Sequence, residues 1–404
     1  MQTKVRTENT AEGQKALRAA LMAKATALVP LLRAKAAETE RERRIPDDVL
    51  AALDAAQLFR LRAPKRFGGL EGDLRGYMDV VTELGRGCGS TSWIGFISIA
   101  TAWIAALFPD EAQRDVFDGN PDARFMGVLA MTTPAKPVDG GYIVSGKWPY
   151  ASNCLHAHWA ILAVPLPGAG GAIAPGIVLV PMRDLKIEDT WHVVAMRGTG
   201  SHTVIASEVF VPAHRVMPVE TLAKGESPRT HADELVYRES FMPTAIIAVA
   251  APVLGLAHAA LDLTLERIGG GKPIAYSFYD DLRKAPSMQL KLAEAATLIE
   301  TAVLHVRRWC DDISDAARAG EALPFVRRAQ MRMDLGYAMR CCRDAVDLLL
   351  SVQGASAFAE SNPIQRVWRD LEMASRHGLV TGEVPQEIYG RALVGNFEAL
   401  SPFV

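Results

Sequence analysis

Two histidines one residue apart, His156 and His158, are the first pair whose types and spacing could do chemistry. In a strand they would face the same way, as two imidazoles on a metal do, and Cys154 would join them. No Asp or Glu nearby completes a ligand set, so the expectation is no metal and a structural or substrate-lining role. Gly269-Gly270-Gly271-Lys272 has the glycines of a phosphate loop, but Pro273 follows it and Glu266 stands where the first glycine belongs. Gly87-x-Gly89 and Gly198-x-Gly200 lack the third glycine and the strand-turn-helix setting of a dinucleotide site, and nothing matches the Gly-x-Ser-x-Gly of a serine hydrolase. The cysteines are odd in number and never spaced C-x-x-C, which indicates neither a disulfide framework nor a zinc knuckle. Adjacent Cys341 and Cys342 fall in a helical pattern and read as core.

Three other groups keep two readings each. Trp148, Tyr150 and Ser152 share one face of a strand by period two, and that face is either core or a surface for a flat ligand. Arg197-Gly198-Thr199-Gly200-Ser201 is a backbone-exposing turn with a cation, suited to a phosphate or a substrate, or a plain β-turn. His377, followed by Gly378, is a favourable charge in a last helical turn, or a base that titrates near neutral pH.

The elements that must position these groups follow from periodicity. From Ala11 to Leu61 the chain is rich in Ala, Leu, Glu, Lys and Arg at helical spacing, interrupted at Pro30 and at Ile45-Pro46. A turn at Lys65 to Gly69 precedes a helix over roughly Leu74 to Arg86, and the nearly uncharged Ser90 to Phe108 reads as a buried helix. From Phe125 to Pro218 short apolar runs are punctuated by Gly, Pro and Asp-Gly, the pattern of a small β-domain. Helical periodicity returns in long segments, Phe241 to Ile268, Pro286 to Arg318, Pro324 to Val352 and Pro363 to His377. The expectation is a mostly α chain with a central small β-domain: a helical domain over 1–120, a β-domain over 121–220 and a helical bundle over 221–404.

With 44 basic and 46 acidic residues and no long block of like charge, neither nucleic acid nor a polybasic membrane surface is an expected partner. A 49% hydrophobic and 22% charged composition over 404 residues excludes disorder. The N-terminal MQTKVRTENTAEGQK has no apolar run after its charges, so no leader peptide or membrane anchor is expected and the cytoplasm is the default location.

Six segments carry a resemblance: RLRAPKRFGG (Arg60 to Gly69), RGCGSTSW (Arg86 to Trp93), PVDGGYIVSGKWPYASNC (Pro137 to Cys154), MRGTGSHTV (Met196 to Val204), VFVPAHRV (Val209 to Val216) and PIQRVWRDLEMASRH (Pro363 to His377). In this order and spacing, from about Pro46 to Gly395, the chain resembles the oxygenase components of two-component flavin-dependent monooxygenases, of the acyl-CoA dehydrogenase-like superfamily. Among them are those acting on p-hydroxyphenylacetate, seco-steroid phenols and dibenzothiophene. The resemblance implies an acyl-CoA dehydrogenase-like fold, a homotetramer, and a separate NAD(P)H:flavin reductase that supplies reduced FMN or FAD. It also implies reaction with O2 through a flavin C4a-hydroperoxide to hydroxylate an aromatic or polycyclic small molecule. No NAD(P)H fingerprint lies in the chain itself.

By the same resemblance Trp148, Tyr150 and Ser152 contact the flavin, with Arg197, Thr199 and Ser201 as further cofactor residues, and Ser152 and His377 are catalytic. Several relatives carry another histidine where Ser98 stands here, so Ser98, Trp103, His156 and His158 are the expected substrate-lining residues. Gly354-Ala355-Ser356-Ala357-Phe358 keeps one of the three glycines that serve the ADP half of FAD in the dehydrogenases, which leans towards FMN. There is no carboxylate between His377 and Thr381, where a dehydrogenase needs its base. An acyl-CoA dehydrogenase or oxidase, and a non-catalytic flavin- or ligand-binding relative, stand as the alternatives.

Overall fold

The structure is a computed structural model in which residues 11–167, 173–227, 234–380, 383–398 and 400–401 are described. The first ten residues, on which part of the leader-peptide argument rests, and Thr381 lie outside them.

Helix α1 (Ala11–Glu42) runs unbroken through Pro30, against the sequence expectation. Its stripe Leu21, Ala25, Leu32 and Ala36 is buried on both sides of the proline, which itself faces solvent. A missing N–H on the outer face of a helix whose inner face is packed costs less than ending the helix. Pro46 opens α2 (Asp47–Ala55), and Asp73 caps α3 (Leu74–Gly87) by accepting the Gly76 N–H at 2.7 Å. Almost every residue of α4 (Gly89–Ala105) is buried, and α5 (Asp110–Phe117) closes this helical part.

The β-domain follows as β1 (Phe125–Val128), β2 (Lys136–Val138), β3 (Gly141–Trp148), β4 (Trp159–Pro167), β5 (Ile173–Pro181), β6 (Lys186–Glu188), β7 (Thr203–Pro212) and β8 (Val216–Pro218). They form two four-stranded sheets, β1-β4-β5-β8 and β2-β3-β7-β6, whose buried faces share one apolar core. Helices resume with α6 (Val219–Ala223), α7 (Phe241–Ile247), α8 (Ala250–Gly269), α9 (Pro286–Ala319), α10 (Phe325–Gln353), α11 (Ile364–Ala374) and α12 (Glu383–Leu393). The expected single helix from Phe241 is interrupted at Ala248-Val249. Phe241–Gly269 is long and apolar enough to cross a membrane, but most of it is buried inside the protein.

The helices before and after the β-domain are not separate bodies. Leu21, Tyr77, Leu84 and Ile94 from the first part share one core with Leu256, Ile299, Leu335 and Leu371 from the second. Helices α3 and α8 meet at a pair of glycines: a Cβ on Gly255 would stand 2.2 Å from the Thr82 carbonyl oxygen, and one on Gly85 2.8 Å from Gly255 Cα. That close approach seats α3 on α8, and α4, which follows α3 after Cys88, carries the first residue of the site.

Candidate active site

Strand β3 ends at Trp148, and the alternation expected beyond it fails because Tyr150 and Asn153 adopt left-handed backbone, φ 58° and 72°. The three residues of the strand-face reading therefore go three ways. Trp148, expected against the flavin, is fully buried between the sheets and donates its indole N–H to the Ala163 carbonyl at 3.0 Å. It has no free face for a ligand. Tyr150 is turned outward, 67% exposed, its ring edge to face with that of Trp191, centroids 5.6 Å apart. Ser152 is turned inward and buried.

Two turns are laced together here. Ala151 N–H donates to the His202 carbonyl at 3.0 Å, Asn153 N–H to the Thr199 carbonyl at 3.0 Å, and Cys154 Sγ to the Gly200 carbonyl at 3.2 Å. Their hydroxyls form a chain. Ser152 Oγ accepts from Trp93 Nε1 at 3.1 Å and lies 2.7 Å from Ser201 Oγ, which lies 2.6 Å from Thr199 Oγ1. Thr199 Oγ1 in turn donates to the Met196 carbonyl at 2.8 Å.

The turn that bears Thr199 and Ser201 is held from below. Met196 has φ 51°, and its N–H donates to Asp370 Oδ1 of α11 at 2.5 Å. Burial raises the Asp370 carboxyl to about 6, with the Met196 N–H pulling the other way. Gly198 is pressed onto α1 and the start of α4, where a Cβ would stand 2.2 Å from Thr39 Cγ2 and 3.0 Å from Ser90 Cβ. Arg197 is half-buried, and its Nε is buried without a partner among the described residues. A cationic donor left open in that way suits a carbonyl or an anionic group of a ligand.

His377 lies past the end of α11, in the turn that follows, rather than in its last helical turn. The residue is exposed to solvent, and desolvation by the protein packed around its ring lowers its pKa below the ordinary 6.5. Its ring stands 5.8 Å from that of Trp93, whose other end holds Ser152. Nδ1 accepts the Leu379 N–H at 3.3 Å, so in the neutral imidazole the proton sits on Nε2. Nearby carboxylates are committed elsewhere: Asp370 to Met196 and Glu372 to Arg376.

The four residues expected to line a substrate do not join this cluster. Ser98 is fully buried and its Oγ accepts the Phe125 N–H at 3.1 Å, fixing β1 on α4. Trp103 is buried in a separate core, its N–H on the Val236 carbonyl at 2.8 Å and the Arg62 guanidinium 5.0 Å over its ring. His156 is buried, with Nε2 accepting the Ile45 N–H at 3.3 Å, and burial pushes its pKa down to about 4. His158 precedes β4 and accepts the Arg124 N–H on Nδ1 at 3.0 Å. The two imidazoles thus serve different neighbours and do not share a strand face. Trp93 and Asp370 are the residues that motif reading missed; both lie inside segments that carried the resemblance, without any local feature that gave them a role.

An imidazole against an indole that is bonded to a buried chain of hydroxyls brings a titratable ring and polar groups together on one side of the β-domain. Residues 11–117 match the acyl-CoA dehydrogenase N-terminal domain and residues 247–381 the acyl-CoA dehydrogenase C-terminal domain. The oxygenase subunit HsaA of a flavin-dependent monooxygenase from Rhodococcus jostii (strain RHA1) is 34% identical, over 93% of this chain and 98% of its own. The oxygenase component of an FADH2-dependent resorcinol hydroxylase from Rhizobium sp. (strain MTP-10005) is 33% identical, over 93% of this chain and 94% of its own. XiaF from Streptomyces sp., solved in complex with FADH2 and glycerol, superposes with a TM-score of 0.90 at 37% identity, covering 99% of each chain. With likeness of this extent on both sequence and fold, the chain belongs to the oxygenase components of flavin-dependent monooxygenases, enzymes built on the acyl-CoA dehydrogenase fold that hydroxylate aromatic compounds.

Proposed function

We propose that the protein hydroxylates a phenol, monocyclic or polycyclic, with O2 and reduced FAD delivered by a separate NAD(P)H:flavin reductase, working as a homotetramer in the cytoplasm. The observation that carries this reading is the placement of His377 beside Trp93, with Trp93 bonded to Ser152 at the head of the hydroxyl chain. FADH2 stands in the names of two relatives at 33% and 37% identity, whereas the FMN-bound relative TdsC is 18% identical; this moves the preference from FMN to FAD.

When bound, reduced flavin supplies two electrons and activates O2, so that one oxygen atom enters the aromatic ring and the other leaves as water. The chain's own residues do the rest. Tyr150 gives the ring system a flat apolar face, and Arg197 gives its polar edge or phosphate a charged donor. Trp93 and Phe96, edge to face at 5.2 Å, give an apolar surface beside His377. His377, neutral with its proton on Nε2, offers that N–H as a hydrogen bond to the phenol oxygen, and in its protonated form can give a proton to the departing hydroxide and return to the neutral ring.

The tetramer is supported by apolar surface that a solitary chain would leave wet: Leu290 and Leu304 on α9, and Tyr276 and Phe278 in the preceding loop, are exposed. A sedimentation mass of one 43.7 kDa chain would overturn the assembly. The activity is tested with a panel of phenols, 18O2, NADH and FAD, with and without an added flavin reductase. One labelled oxygen in a hydroxylated product, dependent on the reductase, is expected; turnover without the reductase would remove the partner, and no labelled product would remove the reading.

A further inference from the structure

Helix α4 is sealed on most of its circumference and open along one stripe. Ile94, Ser98, Ile99, Ala102 and Ala105 are at 0% exposure, whereas Ile97 and Ala100 are half-buried and Trp93, Phe96 and Ile104 keep 5 to 8%. The accessible residues stand at i, i+3, i+4, i+7 and i+11 from Trp93, which is a single face of a helix. Both flanks of that face are walled. On one, Thr101 meets β1, where a Cβ on Gly127 would stand 3.0 Å from Thr101 Oγ1; on the other, Trp103 stacks on Phe241 of α7, ring centroids 6.0 Å apart. Solvent therefore reaches α4 along a groove between β1 and α7. The groove begins at Trp93, whose ring has His377 5.8 Å away, and runs to Ile104, about 16 Å further along the helix. Ser98 and Trp103 fall outside the stripe, which is why neither joins the site.

We infer that this groove takes the apolar remainder of the substrate, so that the phenol hydroxylated here is polycyclic and uncharged, with its hydroxyl beside His377 and Ala100 as the residue that sets its length. The inference rests on the function proposed above and deepens it. No residue of α4 carries a charge, and the one polar group of the stripe, the Trp93 N–H, is committed to Ser152. A carboxylate laid along the groove would lose its water and gain no partner. A fused ring, by contrast, moves apolar area out of water and against Ile97, Ala100 and Ile104, worth about tenfold or more in kcat/KM for each ring. Ala100 lies two turns, about 10 Å, from Trp93, so a single ring held beside His377 leaves it untouched. Set between Ile97 and Ile104, it is the small residue of the stripe and gives the groove its depth at the middle.

The test measures kcat and KM of the full chain, with O2, FAD, NADH and an added flavin reductase, on phenol, 2-naphthol, 2-hydroxyphenanthrene and 6-hydroxy-2-naphthoate. In wild type kcat/KM should rise about tenfold with each added ring, and the carboxylate should cost about tenfold against 2-naphthol. Ala100→Phe fills the middle of the groove. The ratio of kcat/KM for 2-hydroxyphenanthrene to that for phenol should then fall at least about tenfold, carried by KM rather than kcat, as loss of uniform binding requires. Ala100→Val should lower the ratio in the same direction by less, so folding of either variant suffices. A wild-type series flat within about twofold, or a preference for the carboxylate, would overturn the inference and leave the proposed function standing. An unchanged ratio in Ala100→Phe together with an altered sedimentation mass would give the groove to a second copy of the chain and overturn the inference as well. No hydroxylated product from any of the four would overturn both.

Discussion

Asp370 Oδ1 accepts the Met196 N–H at 2.5 Å across 174 residues of chain, and the segment that carries Asp370 ends at His377. Helix α11 therefore fixes the lower end of the hydroxyl chain, and the turn that follows it presents the imidazole. The contact holds a left-handed, non-glycine Met196, a conformation that persists only where its surroundings enforce it. Asp370→Ala leaves that N–H buried without a partner, a cost of about 1 to 3 kcal/mol, and loosens the Arg197 to Ser201 turn. We expect lower thermal stability and reduced-FAD binding weakened about tenfold, with Asp370→Asn, which keeps an acceptor, recovering most of both. Undiminished FAD affinity in Asp370→Ala would sever the turn from cofactor binding.

Trp148 and Tyr150 lie two residues apart and should respond in opposite ways. Trp148→Phe removes the indole N–H from the Ala163 carbonyl inside the β-domain core, so a stability loss of about 1 to 3 kcal/mol is expected with flavin affinity unchanged. Tyr150→Ala removes an exposed ring, so stability should hold within about 0.5 kcal/mol while flavin binding weakens by about 0.5 to 1.5 kcal/mol. Urea unfolding and flavin titration on the two variants read this crossover; a flavin defect confined to Trp148→Phe would reverse the assignment.

The same pair shows where the sequence stopped being legible. Periodicity located α3, α9 and α10 within a residue and α4 within three, because amphipathic or wholly apolar stretches have few other ways to bury themselves. Pro30 misled, since a proline breaks a helix only when packing does not oppose it, and the stripe from Leu21 to Ala36 does. Period two placed Trp148 and Ser152 on one face because nothing in their types announces that Tyr150 turns left-handed between them. Ser152 and His377 were legible as candidates from motif position alone. Asp370 and Trp93 were not, since their roles are bonds to Met196 and Ser152, and a contact made across the fold leaves no local spacing to read.

His156 ties the turn between α1 and α2 to the β-domain by accepting the Ile45 N–H on Nε2, and burial pushes its pKa down to about 4 against an ordinary 6.5. As pH falls below 6.5 the unfolded chain takes up a proton that the folded one refuses until about 4. Stability from this group is therefore whole above 6.5 and lost progressively down to about 4, by at most about 3 kcal/mol. Asp370, whose pKa is raised, acts in the opposite sense over part of that range, so the comparison must be between variants. His156→Gln keeps an acceptor for Ile45 and does not titrate. Urea unfolding from pH 7.5 to 4 should show wild type losing stability relative to the variant across this window, and parallel curves would remove His156 from the acid response.

His377 separates its two readings by size. A helix-end charge contributes about 0.3 to 1 kcal/mol of stability, whereas a group that moves a proton in the reaction contributes about 10² to 10⁴ in rate. The structure weakens the first reading, because His377 stands beyond the end of α11 with its ring against Trp93 and its Nδ1 taken by the Leu379 N–H. Burial lowers its pKa, so the imidazole is neutral at pH 7 with Nε2 protonated, and the wild-type rate should show no break at the ordinary histidine value of 6.5. His377→Asn keeps a hydrogen-bonding side chain of smaller reach and abolishes titration. The variant should fold and bind reduced FAD as wild type does, yet form product at least about 100-fold more slowly, with more H2O2 released per flavin oxidised. Product yield equal to wild type, accompanied only by a shift in Tm of a degree or two, would leave His377 a structural turn residue and transfer the proton to the Ser152 chain.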